Sequence, residues 1–157
     1  MSTIVLTLPY PVSANAYKNT RIIKNRQTGK PMALYYRTHE AEAFVKACNL
    51  AAHAAGITEP LTCKLELAYR LYPELPKDWQ VRERKHGPDW DWETNARCID
   101  GFNAEKVMAD ALQGIVYIND AQVWRGVWER MTPDEHGARL VVYVRQIPSK
   151  VPQEKLL

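Results

Sequence analysis

The sequence lacks any long apolar run, so none of its 157 residues reads as a bilayer-spanning stretch. Its opening, Met1-Ser2-Thr3-Ile4-Val5-Leu6, lacks the basic start and extended apolar core of a secretory signal. The expected compartment is therefore the cytoplasm. Cysteine is scarce. Cys48, Cys63 and Cys98 are odd in number and widely spaced, and they fit neither a zinc spacing nor a disulfide framework. They read as packed thiols, small hydrophobes with a weak donor. Internal repeats and a domain linker are missing too, and the length suits one domain with one sizeable core.

A formal net charge of +3 decides nothing by itself, but its distribution does. Between Pro9 and Arg37 there is no Asp or Glu, while Lys18, Arg21, Lys24, Arg26, Lys30 and Arg37 all stand there. Tyr10, Tyr17, Tyr35 and Tyr36 are interleaved with them. Cations release counterions from phosphates, and aromatic rings stack on exposed bases. The segment reads as a nucleic-acid contact, with a solvated basic loop as the bland alternative.

Ile4 to Leu8 is a β-branched run stopped by Pro9, then a loop through Asn15. Arg21-Ile22-Ile23 and Met32 to Tyr36 flank Gln27-Thr28-Gly29-Lys30, which predicts a hairpin carrying the basic residues. Thr38 to Ala55 predicts a helix, with Thr38 as cap, Glu40 and Glu42 at its positive end, and Gly56 as stop. His53, late in that helix, reads as a charge partner of the helix C-terminus or a solvated residue rather than a ligand. From Leu61 to Leu71 the residues alternate, which predicts a strand with one buried face. Pro73 to Arg97 has three prolines, Trp79, Trp90 and Trp92, and no steady period, so it reads as a long loop. A second helix spans Asn103 to Leu112, followed by a short strand over Ile115 to Ile118 and a turn at Asn119-Asp120. Gln122 to Arg130 and Arg139 to Gln146 predict two further strands around a turn that holds His136. The whole predicts an α+β domain with one mixed sheet and two main helices.

Chemistry concentrates between Cys98 and Val123. Asn103, Lys106 and Asp110 are three and four residues apart on one helical face, Asp100 stands just before the helix, and Asp120 sits at the later turn. Read alone, these residues are first of all a solvated helix face with a capping Asp and a turn Asp. The second reading is a hard-cation site, because carboxylate oxygens suit magnesium and leave waters for a phosphate substrate.

The same residues resemble the active-site block of the RusA family of Holliday-junction resolvases. That block runs Asp-x-Asp-Asn, two residues, Lys, then a helix ending Asp-Ala-Leu, then Asp-Asp-Ala-Gln-Val. Asp100, Asn103 and Lys106 match its first aspartate, asparagine and lysine. Asp110-Ala111-Leu112 matches the helix end, and Asp120-Ala121-Gln122-Val123 the last aspartate and its tail. Leu8-Pro9-Tyr10-Pro11-Val12-Ser13-Ala14-Asn15 is similar to the family's opening Leu-Pro-Trp-Pro-Pro-Ser-Asn-Asn. The resemblance implies a RusA-like domain over residues 1–147, with 148–157 a polar tail.

It also implies a bacterial or phage-encoded, metal-dependent endodeoxyribonuclease. Such an enzyme cuts four-way junctions as a homodimer, by paired nicks, in recombination and repair. The metal would be Mg²⁺, with Mn²⁺ as a substitute, held by Asp100 and Asp120, and Lys106 would serve the scissile phosphate. Asn15, Tyr17, Lys18, Arg21, Lys24, Arg26, Lys30 and Asn103 would contact DNA. One departure is plain: the family's second aspartate falls on Phe102, which cannot ligate a metal. Three consequences stay open. A nearby acid (Asp91, Glu93 or Glu105) substitutes, or the site works with fewer protein ligands and more water, or the chain binds junctions and cuts poorly. The last makes it a branched-DNA binding protein with little or no catalysis. A small RNA-binding or toxin-type nuclease with a similar sheet is the remaining rival.

Overall fold

Alternating apolar residues set the sheet. In the computed structural model, which describes residues 3–148, the sheet has four strands, β1 (Thr3–Pro9), β4 (Leu65–Tyr72), β5 (Val123–Arg130) and β6 (Arg139–Gln146), and three of them bury alternate residues. The exception is β5, which is exposed along most of its length. Leu6 and Leu8, then Leu65, Leu67, Tyr69 and Leu71, then Leu140, Val142 and Val144 face the core. The strand order is β1-β6-β4-β5. β6 pairs antiparallel with both β1 and β4, while β5 runs parallel to β4 at the edge. A parallel neighbour requires a crossover connection. Here the connection contains α3 (Trp79–His86), α4 (Trp92–Asn95) and α5 (Gly101–Leu112).

Two helices cover the apolar face. In α2 (His39–Ala54) the Thr38 hydroxyl accepts from the Ala41 amide, and Gly56, at φ 86°, turns the chain away after the last turn. Ala41, Phe44, Cys48 and Ala52 are its buried stripe. In α5 the stripe is Ala104, Val107, Met108, Ala111 and Leu112. All three cysteines are free thiols, and burial pushes that of Cys48 up to about 12.

The basic segment forms a separate two-stranded arm, β2 (Lys18–Lys24) against β3 (Pro31–Arg37). Its turn is held by Asn25, whose side chain accepts from the amides of Gln27 (2.8 Å) and Thr28 (3.1 Å). Gly29 completes the reversal at φ 68°.

Five expectations are corrected. The residues before Lys18 include a helical turn, α1 (Ala14–Tyr17), rather than a loop through Asn15. The strand expected from Leu61 begins only at Leu65, because the carbonyls of Leu61 and Cys63 accept from the Gln122 side chain instead of a neighbouring strand. Ile115 to Ile118 is a turn, not a strand. The amides of Ile115 and Val116 both fold back on Leu112 O, and Tyr117 makes isolated bridges to Leu61 and Gln113. The long segment from Pro73 to Arg97 contains α3 and α4; α4 forms because Asp91 caps it. The α5 helix also starts two residues before Asn103, at Gly101. His136 does lie between β5 and β6, outside both. The expected tail falls on 148–157, of which all but Pro148 lies outside the described residues.

Gln122 fastens the segment that carries Asp120. Its Oε1 accepts from the Ile118 and Asn119 amides (2.8 and 2.9 Å), while its Nε2 donates to Leu61 O and Cys63 O (2.7 and 3.1 Å). Gln122→Ala strands four backbone groups at once, of which the Leu61 and Cys63 carbonyls are partly shielded from water. We expect a loss of about 2–4 kcal/mol, above that of a single exposed hydrogen bond. Urea denaturation measures it, and a midpoint unchanged from wild type would show that water replaces the side chain without cost.

Candidate active site

The start of α5 is fixed from three sides. The Asp100 carboxylate caps it, accepting from the Phe102 amide through Oδ1 at 2.8 Å. The buried Tyr69 hydroxyl donates to Gly101 O at 2.8 Å. Trp128 of β5 lies against Gly101 so closely that a Cβ there would stand 2.5 Å from its indole. Upstream, the Tyr10 hydroxyl accepts from the Ile99 amide (2.8 Å) and donates to Cys98 Sγ (3.4 Å), which holds the approach to Asp100.

The carboxylates fall into two groups, each marked by a tyrosine whose acidity is suppressed. Burial raises Tyr69 first, and the negative charges of Glu105 and Asp100 raise it further. Burial likewise raises Tyr117, followed by Asp120 and Asp110. The Tyr69 hydroxyl is bonded at Gly101, whereas the Tyr117 hydroxyl donates to Ala109 O (2.9 Å). Eight helical residues separate those carbonyls, roughly 12 Å along the axis. The strand gives the same order: Trp128 beside Gly101 is five residues, roughly 17 Å, beyond the start of β5, and Asp120 precedes that start. Asp100 and Asp120 therefore belong to opposite ends of α5 within one chain. Among the described residues no three His, Cys, Asp or Glu side chains gather closely enough to hold a metal ion.

Lys106 is exposed on α5, with Asn103 and Asp110 half-buried on its face. Asp110 pairs with Lys18 Nζ at 3.0 Å and so ties the base of the arm to α5. Beside that pair lies an open groove of about 390 Å³, lined by Lys18, Arg37, Asp110, Gln113, Gly114 and Ile118. Asn15, Arg21, Lys24, Arg26 and Lys30 are exposed. Tyr17 is corrected: at 2% exposure it is a core residue with no ring surface to offer DNA. Its hydroxyl is buried and has no hydrogen-bond partner among the described residues.

A protein-family model described as Endodeoxyribonuclease RusA matches residues 9–145, most of the chain. The chain belongs to the RusA family. No curated protein matches it. Membership makes it a nuclease of the Holliday-junction resolvase type, an endodeoxyribonuclease whose substrate is branched DNA. Among the described residues no helix is long and apolar enough to cross a membrane.

RusA-type resolvases generally depend on divalent metal. The oxygen donors at the α5 start suit a hard cation, since Asp100 spends one oxygen on the cap and Glu105 stands nearby. Of the three acids that stand near Phe102 in sequence, Glu105 is the one whose charge reaches Tyr69 together with that of Asp100. Asp91 is committed to capping α4, accepting from the Glu93 and Thr94 amides and the Thr94 hydroxyl. Its carboxyl is held below the usual range, chiefly by that hydroxyl. Glu105, one of the three acids named for that place from the sequence, lies with its Oε1 over the strand glycine Gly126. No spacing in the sequence announces that contact. Phe102 is 71% exposed and meets Trp128 edge-on, ring centroids 5.8 Å apart.

The Gly101–Trp128 contact predicts a measurable coupling. Gly101→Ala forces the indole aside and should cost on the order of 1–3 kcal/mol. Trp128→Val loses ring contacts but makes room. The double variant is then more stable than the sum of the single effects requires, as urea midpoints of all three will show. Additive effects would mean that the indole swings away freely.

Proposed function

We propose that this RusA-family chain resolves four-way DNA junctions by paired, metal-dependent nicks, acting as a homodimer in recombination and repair. The observation that carries the reading is the ordered family match together with Asp100 set as the rigid cap of α5 and Lys106 exposed on the same helix. The metal is Mg²⁺, or Mn²⁺ in its place. When bound, it supplies charge neutralisation at the phosphate and a more acidic water. The chain does the rest. Asp100 and Asp120 present carboxylate oxygens, and Glu105 stands in for the aspartate that Phe102 replaces. Lys106 offsets negative charge gathering on the phosphate oxygens as the bond breaks. The exposed cations Arg21, Lys24, Arg26 and Lys30 on the arm hold phosphates away from the cut.

The separation of Asp100 and Asp120 supports the dimer. Two carboxylates at opposite ends of one helix share a cation only if a second copy brings its far end to the near end of the first. Two-fold symmetry makes two such composite sites, one for each strand to be cut. Asp100→Asn and Asp120→Asn each abolish cutting of a labelled four-way junction and leave binding intact. Mixed dimers of the two variants regain one whole site and nick one strand. No recovery on mixing, with one variant carrying an added tag so that hybrid dimers are verified by mass, would place both carboxylates in a single chain.

The Glu105 assignment has its own readout. Terbium is a luminescent stand-in for hard cations, and Trp128 beside Gly101 is placed to sensitise it. Glu105→Gln and Asp100→Asn should each weaken terbium binding by about ten-fold, roughly 1.4 kcal/mol. Phe102→Asp should tighten it, and because Phe102 is largely exposed the fold tolerates the change. Unchanged terbium affinity in Glu105→Gln would leave the site with fewer protein ligands and more water.

A further inference from the structure

The register of the arm sorts its residues into two unlike faces. Directly opposed residues of an antiparallel pair point to the same side. One face therefore carries the rungs Lys18/Arg37, Thr20/Tyr35, Ile22/Ala33 and Lys24/Pro31. The other carries Asn19/Tyr36, Arg21/Leu34 and Ile23/Met32. On the first face Tyr35 and Ile22 are diagonal neighbours in mid-strand and are 71% and 76% exposed. On the second, Tyr36, Leu34 and Met32 are better covered, at 44%, 38% and 43%. The first face is thus a bare apolar platform with cationic rungs at both ends, about 20 Å apart.

An isolated two-stranded hairpin is barely stable in water, and a ring and a branched side chain left bare in its middle add nothing to it. Their exposure calls for an occupant, and the charges select one. No acid occurs from Pro9 to His39, so the platform's surroundings suit a polyanion. An apolar protein surface laid over Tyr35 and Ile22 would have to desolvate Lys24 and Arg37 as well. A nucleic-acid strand meets both demands, with a flat base for the ring and phosphates for the cations. In continuous duplex the base faces are already stacked on one another. They become available where the stack is interrupted.

We propose that Tyr35, flanked by Ile22, is a stacking platform for a base left open at the branch point of the junction, with Arg37 and Lys24 on the adjoining phosphates. Lys18 is set apart from this task because it pairs with Asp110 and anchors the arm to α5. The platform rests on the resolvase reading and adds to it the feature by which branched DNA is told from linear DNA. A stack of this kind contributes only at the branch, whereas the cations of the arm contribute on any DNA.

The test uses the full-length chain without divalent metal, so that no cutting occurs. Binding is measured at one fixed salt concentration to a labelled four-way junction and to linear duplex of the same sequence. Tyr35→Ala, Tyr35→Phe and Ile22→Ser are compared with wild type, and circular dichroism checks the fold. Tyr35→Ala should lose about ten-fold or more in affinity for the junction and none for duplex. Tyr35→Phe keeps the ring and should keep the affinity, and Ile22→Ser should fall between. Equal losses on both DNAs would overturn the platform, since the contact would then be to the backbone. So would a junction preference that survives in Tyr35→Ala, which leaves the resolvase reading intact. A loss accompanied by dissociation to monomers in sedimentation would assign the face to a second copy and overturn the platform too. If the wild type itself binds both DNAs equally, the resolvase reading fails and the platform with it.

Discussion

The seating of α5 on the sheet is the constraint on which the site depends. Asp100, Asn103, Glu105, Lys106 and Asp110 all belong to that helix or its cap, so their relative positions are those of one rigid backbone. Val107, Met108 and Leu112 are almost wholly buried, each contributing about 1.5–3 kcal/mol by removal from water. Burial alone would let the helix slide or turn. Two buried tyrosines prevent it, Tyr69 donating to Gly101 O near the start and Tyr117 to Ala109 O near the end. The same tyrosines sit beside the two groups of carboxylates, so the groups that fix the helix also border the site.

Periodicity made the two main helices and the buried face of β4 readable, because Phe44, Cys48 and Ala52, or Leu65, Leu67, Tyr69 and Leu71, repeat at the spacing of their element. What was not readable depended on contacts between distant residues. Gln122 takes the carbonyls of Leu61 and Cys63 and so delays the strand, and nothing local to Leu61 signals it. Leu112 O draws back the amides of Ile115 and Val116 and turns an apolar tetrapeptide away from strand geometry. In the site, residue types were legible but not their grouping. Spacing put Asp100 and Lys106 on one element. Only the register of β5 against β4, with Trp128 beside Tyr69, shows how far Asp120 stands from them. Tyr17 illustrates the reverse error, an aromatic residue among cations that is spent on the core.

The charge layout follows from the task. Carboxylates that are to hold a cation also repel a phosphate backbone, so the attraction needed for binding must be placed elsewhere. In the proposed reading it is carried by the acid-free arm, which is joined to α5 through Lys18 and Asp110. Binding by exposed cations is screened by salt, while the geometry at the α5 start is set by hydrogen bonds and packing and is not. Raising ionic strength should therefore weaken substrate capture before it disturbs the site. Phe102 fits this division. Its exposed ring, edge-on to Trp128, stands where the family pattern has an aspartate, so in the proposed reading the surface that phosphates approach carries one negative charge fewer.

The central claim is that the chain cuts branched DNA as a pair of matched sites. Its most direct test is incubation of wild-type protein and Mg²⁺ with a mobile four-way junction carrying a label on each strand in turn, with linear duplex alongside. The account predicts nicks in two opposed strands at symmetric positions, giving ligatable linear products, and no cutting of the duplex. Unpaired nicks, equal cutting of duplex, or an uncut junction at millimolar Mg²⁺ and Mn²⁺ would contradict it.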